Sequence, residues 1–166
     1  MAPPIATELS VTRNDGLYYI STDRSKLDIP TIHEWISTDC YWAIGRPFDT
    51  VSGSIEHSLP FGVYTSQSVQ IGFARVVTDY RTLPFLCKRL ITDTFAWVDD
   101  IYVSRSHRGK GISHFIIDTI NELLRSKLGI KHIVLFTHDA QSLYERHGYK
   151  VFSELDRQRW MSLPTI

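Results

Sequence analysis

The stretch Ile101-Tyr102-Val103-Ser104-Arg105-Ser106-His107-Arg108-Gly109-Lys110-Gly111-Ile112-Ser113 decides how the chain is read. Branched and aromatic residues from Phe95 to Val103 form a strand pattern. A basic loop with two glycines follows. Ile112 then opens a helix whose apolar stripe runs through Phe115, Ile116, Ile120, Leu123, Leu124 and Leu128. A helix start presents unpaired N–H groups and partial positive charge. Glycines let that backbone approach a phosphate, and Arg108 and Lys110 add full charges. The segment predicts a phosphate or pyrophosphate cradle. A Walker loop does not fit these residues. A dinucleotide fingerprint also fails, because His114 stands where its third glycine belongs. What fits is Arg/Gln-x-x-Gly-x-Gly/Ala over Arg108 to Ser113, with Ser113 in the last place. The bland alternative is a glycine-bearing turn with solvated basic side chains.

Outward from this loop, residues 1–14 read as a polar lead-in and 15–166 as a single domain. Leu17 to Ile20 is a strand. Asp28 caps a helix with Pro30 in its first turn and Ile32, Trp35 and Ile36 at helical spacing. Asp39 to Pro47 is a loop, and a second helix runs from Asp49 to His57. Phe61 to Tyr64 and Val69 to Thr78 form an antiparallel hairpin across Ser66-Gln67-Ser68. The helix from Ile112 ends at Leu128, stopped by Gly129. His132 to Phe136 is a strand. Ala140 to His147 is a short helix capped by Asp139 and stopped by Gly148. Tyr149 to Phe152 and Trp160 to Leu163 are two closing strands. This order predicts an α/β (α+β) fold: a mixed, mostly antiparallel sheet of about seven strands with about four helices on its faces.

Composition narrows the partners. The chain has 166 residues, with 18 Lys+Arg against 18 Asp+Glu. A balanced charge argues against a broad basic face for nucleic acid or an anionic membrane. No apolar run approaches the roughly 20 residues needed to span a bilayer. The start Met1-Ala2-Pro3-Pro4 lacks the features of a secretory signal. Cys40 and Cys87 make neither a disulfide framework nor a metal site, and the histidines lack ligand spacing. A cytoplasmic protein without a metal is expected.

The loop, together with two further motifs, resembles the GNAT superfamily of acyl-CoA-dependent N-acyltransferases. Ile101-Tyr102-Val103 stands where that family has Leu/Ile-x-Val before the loop arginine. Ala140-Gln141-Ser142-Leu143-Tyr144-Glu145-Arg146-His147-Gly148-Tyr149 matches its late Ala-x-x-x-Tyr-x-x-x-Gly-Phe/Tyr signature. The element order follows the family over nearly the whole chain. Two features depart from it: Ser113 replaces the usual Gly or Ala, and Thr82 to Asp93 reads as an insertion in a hairpin.

The resemblance implies an N-acetyltransferase that uses acetyl-CoA on the amine of a small molecule, acting as a monomer or homodimer. Alternatives are a protein N-acetyltransferase or a degenerate acyl-CoA-binding module. It implies that the Ile101 N–H supports the thioester oxygen and that Tyr102 and Val103 lie along the pantetheine arm. Arg108, Gly109, Lys110, Gly111, Ile112 and Ser113 hold the pyrophosphate. Tyr144 protonates the departing thiolate, unless it only packs on its helix.

Asp99 and Asp100 lie in an otherwise apolar strand, where burial raises a carboxylate's pKa. A regular strand turns them to opposite faces. The resemblance favours Asp100 as base or ammonium ligand; pairing with an arginine is the structural alternative. Trp97 stands where some protein-acetylating relatives place a glutamate base, which argues against that subclass. His138 reads as a surface histidine near the cleft. Tyr41, Trp42 and Arg46 are expected to wall the acceptor site, Arg46 by forking onto a carboxylate. The aromatics could instead fill the core beneath their loop.

Overall fold

The computed structural model describes residues 8–79 and 94–158. The chain divides into two compact units, Met1–Phe136 and Thr137–Ile166. Among the described residues of the first, six strands lie in sequence order: β1 (Ser10–Thr12), β2 (Tyr18–Ser21), β3 (Leu59–Thr65), β4 (Gln70–Val77), β5 (Phe95–Val103) and β6 (His132–Val134). Neighbours are antiparallel except β5 and β6, which run parallel. This is the expected mixed, mostly antiparallel sheet. β1 lies inside the stretch read as lead-in, because its three residues are too short to show an alternating pattern.

Helix α1 (Ile29–Asp39) begins as the sequence predicts: the Asp28 carboxylate accepts from the Thr31 N–H at 3.1 Å, with Pro30 in the first turn. Its Ile32 and Ile36 join Val51 and Ile55 of α2 (Phe48–Glu56) against Phe73 and Tyr102 on one face of the sheet. On the other face, α3 (Ile112–Glu122) buries Ile112, Ile116 and Ile120 against Val63, Ala74, Ala96 and Val98. The helical stripe continues past α3, but residues Leu123–Lys127 widen into a π-turn before Gly129, which has φ +65°.

The β4–β5 pairing contains the feature that shapes the site. Phe73 lies opposite Tyr102, and Arg75 lies opposite Asp99. Ala74 therefore faces two residues, Asp100 and Ile101. This is a β-bulge, and Asp100 occupies it with φ +42°. Aspartate and asparagine are among the few L-residues that tolerate left-handed backbone. β5 pairs with β6 only through Phe95, Ala96 and Trp97. Among the described residues, no strand covers that edge of β5 from Val98 to Val103.

The second unit holds α4 (Gln141–Glu145) and the single turn α5 (Glu154–Arg157). Ala140, not Asp139, occupies the cap position of α4, and no side chain caps it. The Thr137 hydroxyl instead accepts from the Ala140 N–H at 3.1 Å. Gly148, at φ +85°, closes the helix as expected. Tyr149 to Phe152 forms no strand; residues 154–157 turn helical directly after it. The Thr82 to Asp93 insertion, Cys87 and the strand read over Trp160 to Leu163 lie outside the described residues.

Gly72 sits opposite Val103, next to the bulge. A Cβ there would stand 2.8 Å from the Tyr102 carbonyl oxygen and 3.3 Å from Val63 Cβ. Gly72→Ala is therefore expected to push β4 and β5 apart and cost about 1–3 kcal/mol, measured by denaturant unfolding. Unchanged stability would show that the strands yield without cost.

Candidate active site

The bulge brings Asp99 and Asp100 to the same face. Arg75, 9% exposed, reaches both: its Nε donates to Asp100 Oδ2 at 2.6 Å, and its Nη2 donates to Asp99 Oδ2. The expected opposite-face arrangement fails because one extra residue in β5 reverses the alternation. Asp100 accepts further bonds from Trp42 Nε1 at 3.0 Å and Arg46 Nη1 at 3.1 Å. Its side chain is 1% exposed, while that of Asp99 is 33% exposed.

These environments push the two acids apart. Burial alone would raise Asp100. The charge and hydrogen bond of Arg75, then Trp42 and Arg46, outweigh burial and hold the carboxyl below its ordinary value. Burial raises Asp99, the neighbouring Asp100 charge adds to it, and Arg75 opposes. Asp99 is thus the more basic and the more accessible member of the pair.

The loop between α1 and α2 lies against this pair. Ala43 and Cys40 fill the core beneath it, while Tyr41 and Trp42 are 53% and 46% exposed. The aromatics therefore do not serve as the core filling. Arg46 does fork onto a carboxylate, but that carboxylate is Asp100. Cys40 is buried, and its thiol is pushed up to about 12, chiefly by burial and then by the Asp100 and Asp39 charges. Burial and a retained proton both disfavour a nucleophilic role for it.

The glycine loop follows β5 directly. Gly109 and Gly111 both have φ +74°, and a Cβ on either would meet nothing within 4 Å. Backbone conformation, not crowding, is what selects glycine there. No side chain caps α3, so the first amides of Ile112 and Ser113 face away from the helix body. The buried Ser104 Oγ has no hydrogen-bond partner. These features fit an anionic, hydrogen-bond-accepting ligand.

Three groups outside the predicted set hold this loop. Arg13 Nη1 donates to the Lys110 carbonyl at 2.8 Å, and Tyr18 Oη lies 3.3 Å from His107 Nδ1. Asp39 accepts from Arg105 Nη2 and from Tyr102 Oη, both at 2.7 Å. Arg108 Nε turns back to the Val103 carbonyl at 2.9 Å. Tyr102 stacks on Trp35 with centroids 5.1 Å apart, Ile101 packs on the α3 face, and Val103 pairs with Gly72. Arg75 was detectable in principle as a lone charge in the apolar run Ile71 to Val77. Arg13 and Asp39 carry no such signal.

Tyr144 and His138 belong to the second unit. Tyr144 is half-buried on α4, edge-on to Tyr149 at 5.6 Å. Burial, aided by the Asp139 charge, pushes its phenol up to about 12, so it keeps its proton at neutral pH. Among the described residues, no group of His, Cys, Asp or Glu is arranged to hold a metal ion, and no helix is long and apolar enough to cross a membrane.

Comparison with known proteins bears on the whole arrangement. A family model for the GNAT acetyltransferase domain matches residues 58–151, which include β5, the glycine loop and α4. A candidate acetyltransferase of Gibberella zeae is 27% identical over 162 residues, covering 93% of this chain and 90% of its own. A candidate acetyltransferase from Clostridium difficile 630 shares the fold, with a TM-score of 0.66 at 15% identity over 90% of this chain and 99% of that one. The crystal structure of a candidate GNAT acetyltransferase from Xanthomonas campestris pv. campestris aligns with a TM-score of 0.72 over 89% of this chain and 93% of that one. With 33% identity to that protein and a family match across the strand, loop and helix described above, this chain belongs to the GNAT family of acetyltransferases.

Proposed function

We propose that this acetyltransferase moves an acetyl group from acetyl-CoA to the amine of a small molecule by direct attack, in the cytoplasm, as a monomer or homodimer. The bulge at Asp100 carries this reading, because it sets an accessible carboxylate two residues from Ile101, directly upstream of an anion-binding loop. Family membership supports the donor. Neither a nucleic acid nor a membrane is needed as partner.

An alkyl ammonium with a pKa of about 10 must lose a proton before it can attack. Asp99, raised by burial, takes that proton directly or through one water. The freed nitrogen attacks the thioester carbon, a C–N bond forms and the C–S bond breaks. The Ile101 N–H steadies the carbonyl oxygen as charge develops on it. Tyr102 and Val103 lie on the stretch of β5 that no described strand covers and pair there with the pantetheine amides, as a strand would. Arg108, Gly109, Lys110, Gly111, Ile112 and Ser113 hold the pyrophosphate. Tyr144 gives its proton to the leaving thiolate, a role carried over from the resemblance. Asp100 is held by three donors and stays ionised. We assign it to positioning: it fixes Arg75, Trp42 and Arg46 at the acceptor end, and its charge favours the incoming ammonium.

Coenzyme A is expected to raise the melting temperature, because a ligand of the native state shifts unfolding by mass action. Gly111→Val, which is strained at φ +74°, should lose that shift. A folded Gly111→Val protein with the full shift would remove the loop from the binding site. Tyr144→Phe is expected to lower turnover by roughly 10²–10⁴ with coenzyme A binding nearly kept. Equal turnover would leave Tyr144 only its packing role.

Asp99→Asn and Asp100→Asn should separate cleanly. Asp99→Asn is expected to lower kcat/KM for the amine by about 10²–10⁴, with partial rescue at high pH, where solution supplies free amine. Asp100→Asn should keep the left-handed backbone but leave Arg75 and Arg46 undercompensated, costing about 3–5 kcal/mol of stability at neutral pH. A depressed folded-state pKa contributes stability above the unfolded value and loses it as pH falls through the folded value. The stability gap to the parent should therefore close below about pH 4. High-pH rescue of Asp100→Asn instead of Asp99→Asn would make Asp100 the base.

A further inference from the structure

We infer that the acceptor is a primary amine carried on an apolar, preferably aromatic, body that bears no carboxylate and no second ammonium. This rests on the acetyl-transfer reading above and names the substrate class of the same site.

The α1–α2 connection is the argument. Tyr41, Trp42 and Ile44 are 53%, 46% and 63% exposed. Three large, substantially exposed apolar side chains within four positions mark a ligand-contacting surface and not a core. The surface is not loose. Trp42 is fixed at its polar end by the 3.0 Å bond to Asp100 Oδ1, which leaves the body of the indole for apolar contact. Tyr41 meets Trp42 edge-to-face, with centroids 5.0 Å apart.

The polar groups at the root of this surface restrict what can bind. The Asp100 N–H donates to Asp99 Oδ1 at 3.0 Å, so the indole anchored on Asp100 lies beside the more accessible carboxylate. Asp99, already paired with Arg75 but 33% exposed, has an open side that can accept from one ammonium. Among the described residues, both guanidiniums at this root, Arg46 and Arg75, are charge-paired with Asp100, and Arg75 with Asp99 as well, so a substrate carboxylate would meet no uncompensated cation there. From Cys40 to Phe48 the connection has no acidic side chain, so it offers no carboxylate to a second ammonium. Among the described residues, a single positive charge with an apolar body matches the accessible Asp99 beside exposed aromatics. Amino acids, diamines and charged peptides do not.

The test uses the intact chain with acetyl-CoA, following thiol release with 2-phenylethylamine, putrescine, lysine and an alanine-led tetrapeptide. We expect kcat/KM for 2-phenylethylamine to exceed each of the others by at least about tenfold. Ile44→Ser and Tyr41→Ala, both at exposed positions, should each shrink that preference by at least about threefold, with an unchanged melting temperature. Equal or faster turnover of putrescine, lysine or the peptide would overturn the inference and leave the acetyl-transfer reading standing. Equal losses on all four amines in both variants would also overturn it. Thiol release with none of the amines would bring down the acetyl-transfer reading itself, and this inference with it.

Discussion

A guanidinium buried inside a sheet must be neutralised where it stands. Arg75 is that group, on a central strand and 9% exposed. Left unpaired, it would cost far more than any single apolar contact returns. Two carboxylates from β5 meet it, and they can do so only because the strand bulges. The left-handed backbone at Asp100 places consecutive side chains on one face. The same carboxylate then accepts from Trp42 and Arg46, so the loop between the first two helices is tied to the sheet through one buried oxygen pair. Replacing such a cluster with apolar residues need not weaken a fold. Its contribution here is geometric: it fixes where the strand departs from regularity and where the loop lies.

That geometry divides the labour between two adjacent acids. One is saturated with donors and remains an anion. The other keeps a third of its side chain in contact with solvent and is raised by burial and by its neighbour's charge. Identical side chains thus acquire different proton affinities from their surroundings, as happens wherever two carboxylates share a site.

The glycine loop is braced from outside as well as shaped from within. Arg13, in the β1–β2 turn, holds the Lys110 carbonyl, and Asp39 at the end of α1 holds Arg105. Asp39 immediately precedes Cys40, Tyr41 and Trp42. The glycine loop and the exposed aromatic connection therefore share an anchor, and their positions are set together.

Much of this was legible in the chain alone. A strand of branched residues, a basic loop with two glycines and a strongly striped helix are local patterns. Each depends on side chains a few positions apart, so Phe95 to Val103, the loop and the Ile112 helix follow from the residues. Asp28 and Pro30 announced the start of α1 for the same reason. Tyr149 to Phe152 read as a strand because its composition suits one, but a strand exists only by pairing. β1 escaped notice because three residues carry no period. The facing of Asp99 and Asp100 lay beyond sequence reasoning, since period-two alternation assumes equal numbers of residues on both paired strands. One unmatched residue in β5, set by its register against β4, reversed it. Likewise, nothing local to Arg46 says that its carboxylate comes from 54 positions away. Local order came from spacing along the chain; which acid is buried, which is open, and what holds the loop were decided by contacts between distant segments, where Coulomb and hydrogen-bond energies depend on distance in space and not on position in sequence.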